Sequence, residues 1–117
     1  MEEELLKYIR TNCYKEGDYT LSSGEKSKHY VNCKPVTLSG QGLYYCATLI
    51  LDHIDKDISA VAGLTLGADP LVSAVAMHSY QTWRPLDALI IRKTPKGHGT
   101  QSQVEGPLPK KGAKVTV

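Results

Sequence analysis

Between residues 39 and 91 the hydrophobic pattern alternates between a helical period and a strand period, and this constrains the fold more than any other feature. Leu43, Cys46, Ala47, Ile50, Leu51 and Ile54 fall at i, i+3, i+4, i+7, i+8 and i+11. Such spacing puts all six on one face and predicts an amphipathic helix over about 39–54, with Ser39 as its amino-terminal cap. Ile58-Ser59-Ala60-Val61-Ala62 then reads as a short buried strand. Asp69-Pro70 opens a second helix running to about residue 80, since proline suits a first turn, where its missing N–H is no loss. Leu86-Asp87-Ala88-Leu89-Ile90-Ile91 is another apolar strand. Helix–strand–helix–strand order predicts an α/β fold, with a parallel sheet flanked by helices.

The flanks are read with the same rules. Leu5, Ile9 and Cys13 recur at four-residue steps behind three glutamates, which favour a helix amino end. A helix over 2–12, stopped by Gly17, is expected. Tyr19-Thr20-Leu21 and His29-Tyr30-Val31-Asn32-Cys33 predict two short strands around the turn Ser22-Ser23-Gly24. The segment 106–112 predicts a turn before a final strand that opens at Lys114-Val115-Thr116-Val117. At 117 residues the chain suits one domain, with an amino-terminal part over 1–38 and an α/β part over 39–117.

Charge is unevenly placed. Residues 1–80 hold seven basic and ten acidic groups, and residues 81–117 hold seven basic and two acidic, giving −3 and +5. The excess gathers where the strand ending at Ile91 runs into Arg92-Lys93-Thr94-Pro95-Lys96-Gly97-His98-Gly99. Ligands of parallel α/β sheets bind beyond the carboxyl ends of the strands. The loops over 63–69 and 92–105 both follow strands, so topology puts them on one edge. The first also feeds a helix start, where free N–H groups favour an anion. A polyanion such as a pyrophosphate group fits this pattern; the alternatives are a solvated basic loop and an ordinary strand-to-helix turn.

Other function classes are disfavoured. The basic loop has no interleaved aromatics and the net charge is only +2, which argues against nucleic acid. No apolar run approaches the ~18 residues of a membrane span, and Met1-Glu2-Glu3-Glu4 is the opposite of a basic signal peptide, so a cytoplasmic location is expected. Cys13, Cys33 and Cys46 are an odd set without metal-ligand spacing. Reduced thiols, and no metal site built from protein ligands, are expected.

Three segments carry a family resemblance. Ile-Arg-Lys-x-x-Lys-x-His-Gly, at Ile91 to Gly99, resembles the catalytic loop of the orotate phosphoribosyltransferases. Tyr19-Thr20-Leu21-Ser22-Ser23-Gly24-Glu25-Lys26-Ser27, followed by Tyr30-Val31-Asn32-Cys33-Lys34, resembles their amino-terminal stretch. Ala62-Gly63-Leu64-Thr65-Leu66-Gly67-Ala68-Asp69-Pro70 resembles their pyrophosphate-side loop.

The resemblance implies a type I phosphoribosyltransferase-like fold with a hood-like amino-terminal part. The implied reaction joins orotate to phosphoribosyl pyrophosphate (PRPP), releasing pyrophosphate and orotidine 5'-monophosphate for UMP biosynthesis. It implies catalytic roles for Lys93, Lys96 and His98. Diphosphate contacts are implied from Arg92, Lys93, Lys96, His98, Thr65, Leu66 and Gly67. More weakly, it implies orotate contacts from Tyr30, Lys34 and Lys26. Some relatives have lysine where Gly67 and Ser22 stand, so the loop over 63–69 must rely on backbone groups; Lys34 reads equally as an exposed strand-end lysine. Magnesium, bound through the PRPP diphosphate, and a homodimer are also implied. Relatives continue into an acidic pair followed by Thr-Thr-Gly, a motif these 117 residues lack. The expectation is therefore an incomplete fold and an inactive fragment, with a following decarboxylase domain left open. The alternative is a non-catalytic anion-binding or oligomerisation module.

Overall fold

The computed structural model describes residues 1–95, 97 and 102–117. They form two compact units, Met1–Tyr45 and Cys46–Val117. The division falls inside a helix, a few residues beyond the 38–39 division read from sequence.

The first unit contains α1 (Glu2–Asn12), β1 (Tyr14–Thr20), β2 (Lys26–Val31), α2 (Lys34–Thr37) and the first turns of α3 (Gly40–His53). Glu2, Glu3 and Glu4 occupy the first turn of α1, where the helix dipole favours them. Helix α1 ends well before Gly17, with the Cys13 amide donating to the Ile9 carbonyl at 2.8 Å. Gly17 instead lies within β1, where the register against β2 shifts between Glu16 and Tyr19. The sequence reading starts this strand too late because both faces of the hairpin are exposed, and Lys15-Glu16-Gly17-Asp18 shows no apolar alternation. One turn of helix, α2, stands where no element is expected, started by Pro35 in its first turn. The Lys34 amide donates to Asn32 Oδ1 at 3.1 Å. Ser39 does cap α3: its hydroxyl oxygen accepts from the Gly42 amide at 3.0 Å and from Tyr8 Oη at 3.2 Å.

The second unit holds the rest of α3, then β3 (Ala60–Leu64), α4 (Asp69–Gln81), β4 (Asp87–Ile91), β5 (Val104–Glu105) and β6 (Val115–Thr116). The sheet order is β5-β4-β3-β6. Strand β3 pairs in parallel with β4 and β6, while β5 returns antiparallel to β4. Alternation along β3 separates two cores. Val61 faces Ala47, Leu51, Ile58, Val72, Val75 and Leu86, whereas Ala60 and Ala62 pack with Leu89 on the other side.

Two polar devices hold this unit. The buried Ser79 hydroxyl donates to the Ala76 carbonyl at 2.7 Å and accepts the Leu86 amide at 2.9 Å, tying the end of α4 to the approach to β4. The Arg84 guanidinium donates to the carbonyls of Leu51, at 3.0 Å, and Asp55, satisfying groups a helix end leaves open. Among the described residues, no helix is long and apolar enough to cross a membrane.

Candidate functional site

Strand β3 extends to Leu64, two residues past the expected limit, so the loop after it starts at Thr65. At Gly63 this loop folds back so tightly that a Cβ would lie 2.3 Å from the Ala68 Cβ; no larger residue fits there without movement. The Thr65 amide donates to the Ile91 carbonyl at 2.9 Å, fastening the loop to the end of β4. The Ala68 and Asp69 amides donate back to Leu64 and Leu66 carbonyls, at 3.1 and 3.2 Å. The Leu66 and Gly67 amides have no acceptor among the described residues. Two successive free N–H groups before a helix are what an anion requires of a backbone.

The second wall is the start of the basic loop. Arg92 donates its amide to the Gln103 carbonyl at 2.7 Å, and Gln103 Nε2 donates to the Arg92 carbonyl at 3.2 Å. With the β4–β5 pairing of Ile91 with Val104, these bonds clasp the two ends of the loop together. Arg92 Nη1 also lies 3.6 Å from Glu105 Oε1, an ion pair with both side chains more than two-fifths exposed. Such a pair orients more than it stabilises.

Between the walls lies a cleft of about 540 Å³, lined by Thr65, Leu66, Asp69, Ile90, Arg92, Lys93, Thr94 and Glu105. Its size suits a small molecule. Its charges are balanced, two cations against two carboxylates, and both carboxylates are engaged. Glu105 faces Arg92, and Asp69 Oδ2 accepts the Thr65 hydroxyl at 2.9 Å.

This site sits in a chain with extensive similarity to known proteins. An orotate phosphoribosyltransferase of Thermosynechococcus vestitus is 52% identical over 117 residues, covering 100% of this chain and 62% of the relative. The crystal structure of Mycobacterium tuberculosis orotate phosphoribosyltransferase in complex with Fe(III) dicitrate superposes with TM-score 0.74 and 35% identity, over 96% of this chain and 62% of that one. Over its full length the chain is similar to orotate phosphoribosyltransferases. Its fold is that of the type I phosphoribosyltransferases, as the α/β pattern and the three motifs predict. The M. tuberculosis orotate phosphoribosyltransferase in complex with PRPP matches with TM-score 0.65 and 26% identity, over 96% of this chain and 53% of that one. No family model matches the chain. The chain thus spans about three fifths of the length of the T. vestitus relative and of the M. tuberculosis protein in the Fe(III) dicitrate complex.

Of the residues the orotate phosphoribosyltransferase resemblance marks, the structure brings Thr65, Leu66, Arg92 and Lys93 to one cleft. Gly67 lies next to Leu66 but outside the lining, with open space where a Cβ would stand. Lys96 and His98 lie outside the described residues. The other three are in the first unit. Tyr30 is stacked on Tyr19 with ring centroids 5.4 Å apart, and Lys34 begins α2. Lys26 lines a hairpin cleft of about 570 Å³ with Asp18, Tyr19, Thr20, Ser27 and Lys28. Sequence reasoning missed Asp69, Thr94 and Glu105. Asp69 was legible as a helix-opening residue and as part of the resembling loop, but not as a cleft residue. Glu105 was legible only as the end of the basic loop, because β5, a two-residue strand, is too short for periodicity to reveal.

Proposed function

We propose that this chain carries the pyrophosphate side of an orotate phosphoribosyltransferase site, for transfer of the phosphoribosyl group of PRPP to orotate. The observation that carries this reading is the single cleft that joins Thr65 and Leu66 to Arg92 and Lys93 at the carboxyl ends of neighbouring parallel strands. As the ribosyl–oxygen bond breaks, the departing diphosphate gains negative charge. Preorganised cations and backbone N–H groups hold that charge, and a dry site protects the donor from hydrolysis. Arg92 and Lys93 supply the cations, and the Leu66 and Gly67 amides supply the donors. Lys96 and His98 complete the set by resemblance, with His98 organising or protonating the diphosphate. Tyr30, Lys34 and Lys26 are assigned to the orotate side on the same basis.

Magnesium fits as a partner of the substrate. A diphosphate itself offers the hard oxygen ligands that magnesium prefers, and the ion supplies charge neutralisation there. A homodimer, a cytoplasmic location and a role in UMP biosynthesis belong to the same reading. Of these, only the role in UMP biosynthesis is supported by what the relatives are called; the homodimer and the location come from the family resemblance alone.

Titration with inorganic pyrophosphate tests the reading. The chain should bind it, and Lys93→Ala and Arg92→Ala should each lower affinity about tenfold, as loss of a charge-assisted hydrogen bond does. Absence of binding would sink it. Because the chain spans only 57–63% of the length of four such relatives, orotate consumption by the chain alone should be far below theirs. Binding without any transfer, even in a longer form carrying the acidic pair and Thr-Thr-Gly, would favour the non-catalytic anion-binding module.

A further inference from the structure

The cleft proposed to receive a diphosphate contains a carboxylate that should repel it. Asp69 sits in the first turn of α4 and lines the cleft beside Leu66. Its Oδ1 is shielded from solvent and has no hydrogen-bond partner among the described residues. Desolvating a carboxylate oxygen without a partner is costly, and doing so beside an anion site adds repulsion. What Asp69 does make is one bond, from Thr65 Oγ1 to its Oδ2 at 2.9 Å. An ionised carboxylate only accepts, so the Thr65 hydroxyl must donate, and its single proton is committed. Thr65 therefore has no side-chain donor left for an anion, and its amide is taken by the Ile91 carbonyl. The free donors of the loop are the next two amides, Leu66 and Gly67.

We infer that Asp69 is a positioning residue that acts through Thr65. The Asp69–Thr65 bond is a strut across the loop, and it holds the Leu66 and Gly67 amides toward the cleft. Thr65 is then part of the strut rather than a ligand, which revises the role the family resemblance implies for it. This rests on the anion-site reading above and adds to it the question of which groups touch the anion.

The two roles predict opposite signs. If Asp69 were only a nearby negative charge, removing it would tighten pyrophosphate binding. As a strut, Asp69→Ala should weaken binding of inorganic pyrophosphate about tenfold, the effect of losing one well-placed hydrogen bond. Asp69→Asn keeps an acceptor for Thr65 and loses the charge, so it should bind as well as the parent or better. Thr65→Val should weaken binding as much as Asp69→Ala, and the double variant should be no worse than either single one, because both remove the same bond. Thr65→Ser should bind like the parent.

Titration calorimetry of the five variants reads this, with thermal melts to confirm folding. If Asp69→Ala fails to fold, the Asn, Val and Ser variants still decide. Tighter binding by Asp69→Ala, weaker binding by Asp69→Asn, or additive losses in the double variant would each overturn the strut. If the parent chain itself does not bind pyrophosphate, the anion-site reading fails first and the strut falls with it.

Discussion

The hairpin β1–β2 and the parallel pair β3–β4 use strands of similar length in opposite ways. Four of the five residues of β3 are buried, among them Ala60 at 0% exposure. No residue of β1 or β2 is fully buried, and Tyr30 and Val31 are about half exposed. Strand β3 is held by apolar layers on both faces, as a strand inside a parallel sheet must be. The hairpin is held by its ladder and by two stacked ring pairs, Tyr14 with His29 at 5.7 Å and Tyr19 with Tyr30 at 5.4 Å. One region fixes the backbone of the loops that follow it. The other leaves its side chains free to be touched.

The largest expected effect tests that contrast directly. Leu89 is 4% exposed and packs against Ala60 and Ala62, so Leu89→Ala should cost about 2–5 kcal/mol. Val31 is 53% exposed, and Val31→Ala should stay within about 0.5 kcal/mol. Urea unfolding of both variants measures the difference. Similar losses would mean that the hairpin is covered in solution.

A second, smaller effect concerns the polar pin inside the buried region. Ser79→Ala would leave the Leu86 amide buried without an acceptor, costing about 1–3 kcal/mol. Ser79→Cys preserves a weak acceptor and should lose less. The same urea experiment reads both, and a neutral Ser79→Ala would show that water replaces the hydroxyl there.

How much of this was legible in the chain follows the same divide. The helical face from Leu43 to Ile54, the cap at Ser39 and the helix opened by Asp69-Pro70 were all readable, because burial imprints a period on the sequence. Strand β1 was not, because an exposed hairpin imposes no apolar alternation on Lys15 or Glu16. The site divides likewise. Arg92 and Lys93 stand out by charge, and Thr65 and Leu66 by resemblance to a known loop. The engagement of Asp69 with Thr65, and of Glu105 with Arg92, depends on a tight turn and on a two-residue strand. Neither carries a periodic signal.

The next expected effect sharpens the picture of the hairpin. Stacked aromatic pairs contribute about 0.5–1.5 kcal/mol beyond area burial. A double-mutant cycle on Tyr19→Ala and Tyr30→Ala, followed by amide hydrogen exchange across β1–β2, should return a coupling in that range. Faster exchange should be confined to the hairpin. Zero coupling would leave the ladder and the Tyr14–His29 stack as its support.

The smallest effect belongs to the surface of the second unit, at the clasp between Lys114 Nζ and Asp57 Oδ2 at 2.6 Å. Lys114 stands just before β6, and its carbonyl accepts the Ser59 amide at 2.9 Å just before β3, so the clasp braces the start of the β3–β6 pairing. The hydrogen bond from Lys114 holds the Asp57 carboxyl below its ordinary range, and the same bond raises the Lys114 ammonium. For Asp57, the stabilisation is present above the unfolded value of about 3.9 and is lost as pH falls through the lowered folded value. For Lys114, it is present below the unfolded value of about 10.4 and is lost as pH rises through the raised folded value. The pair should therefore contribute evenly across neutral pH and fade only at the extremes. Both side chains are more than half exposed, so salt should screen it. Melting temperatures of Asp57→Asn and the parent, compared in low salt, should differ slightly and constantly between about pH 5 and 8, and converge as the pH drops below about 4. The gap should also close in about 1 M salt, where the Debye length is only about 3 Å. A gap that persists at low pH or in high salt would show that the residue acts through packing rather than charge.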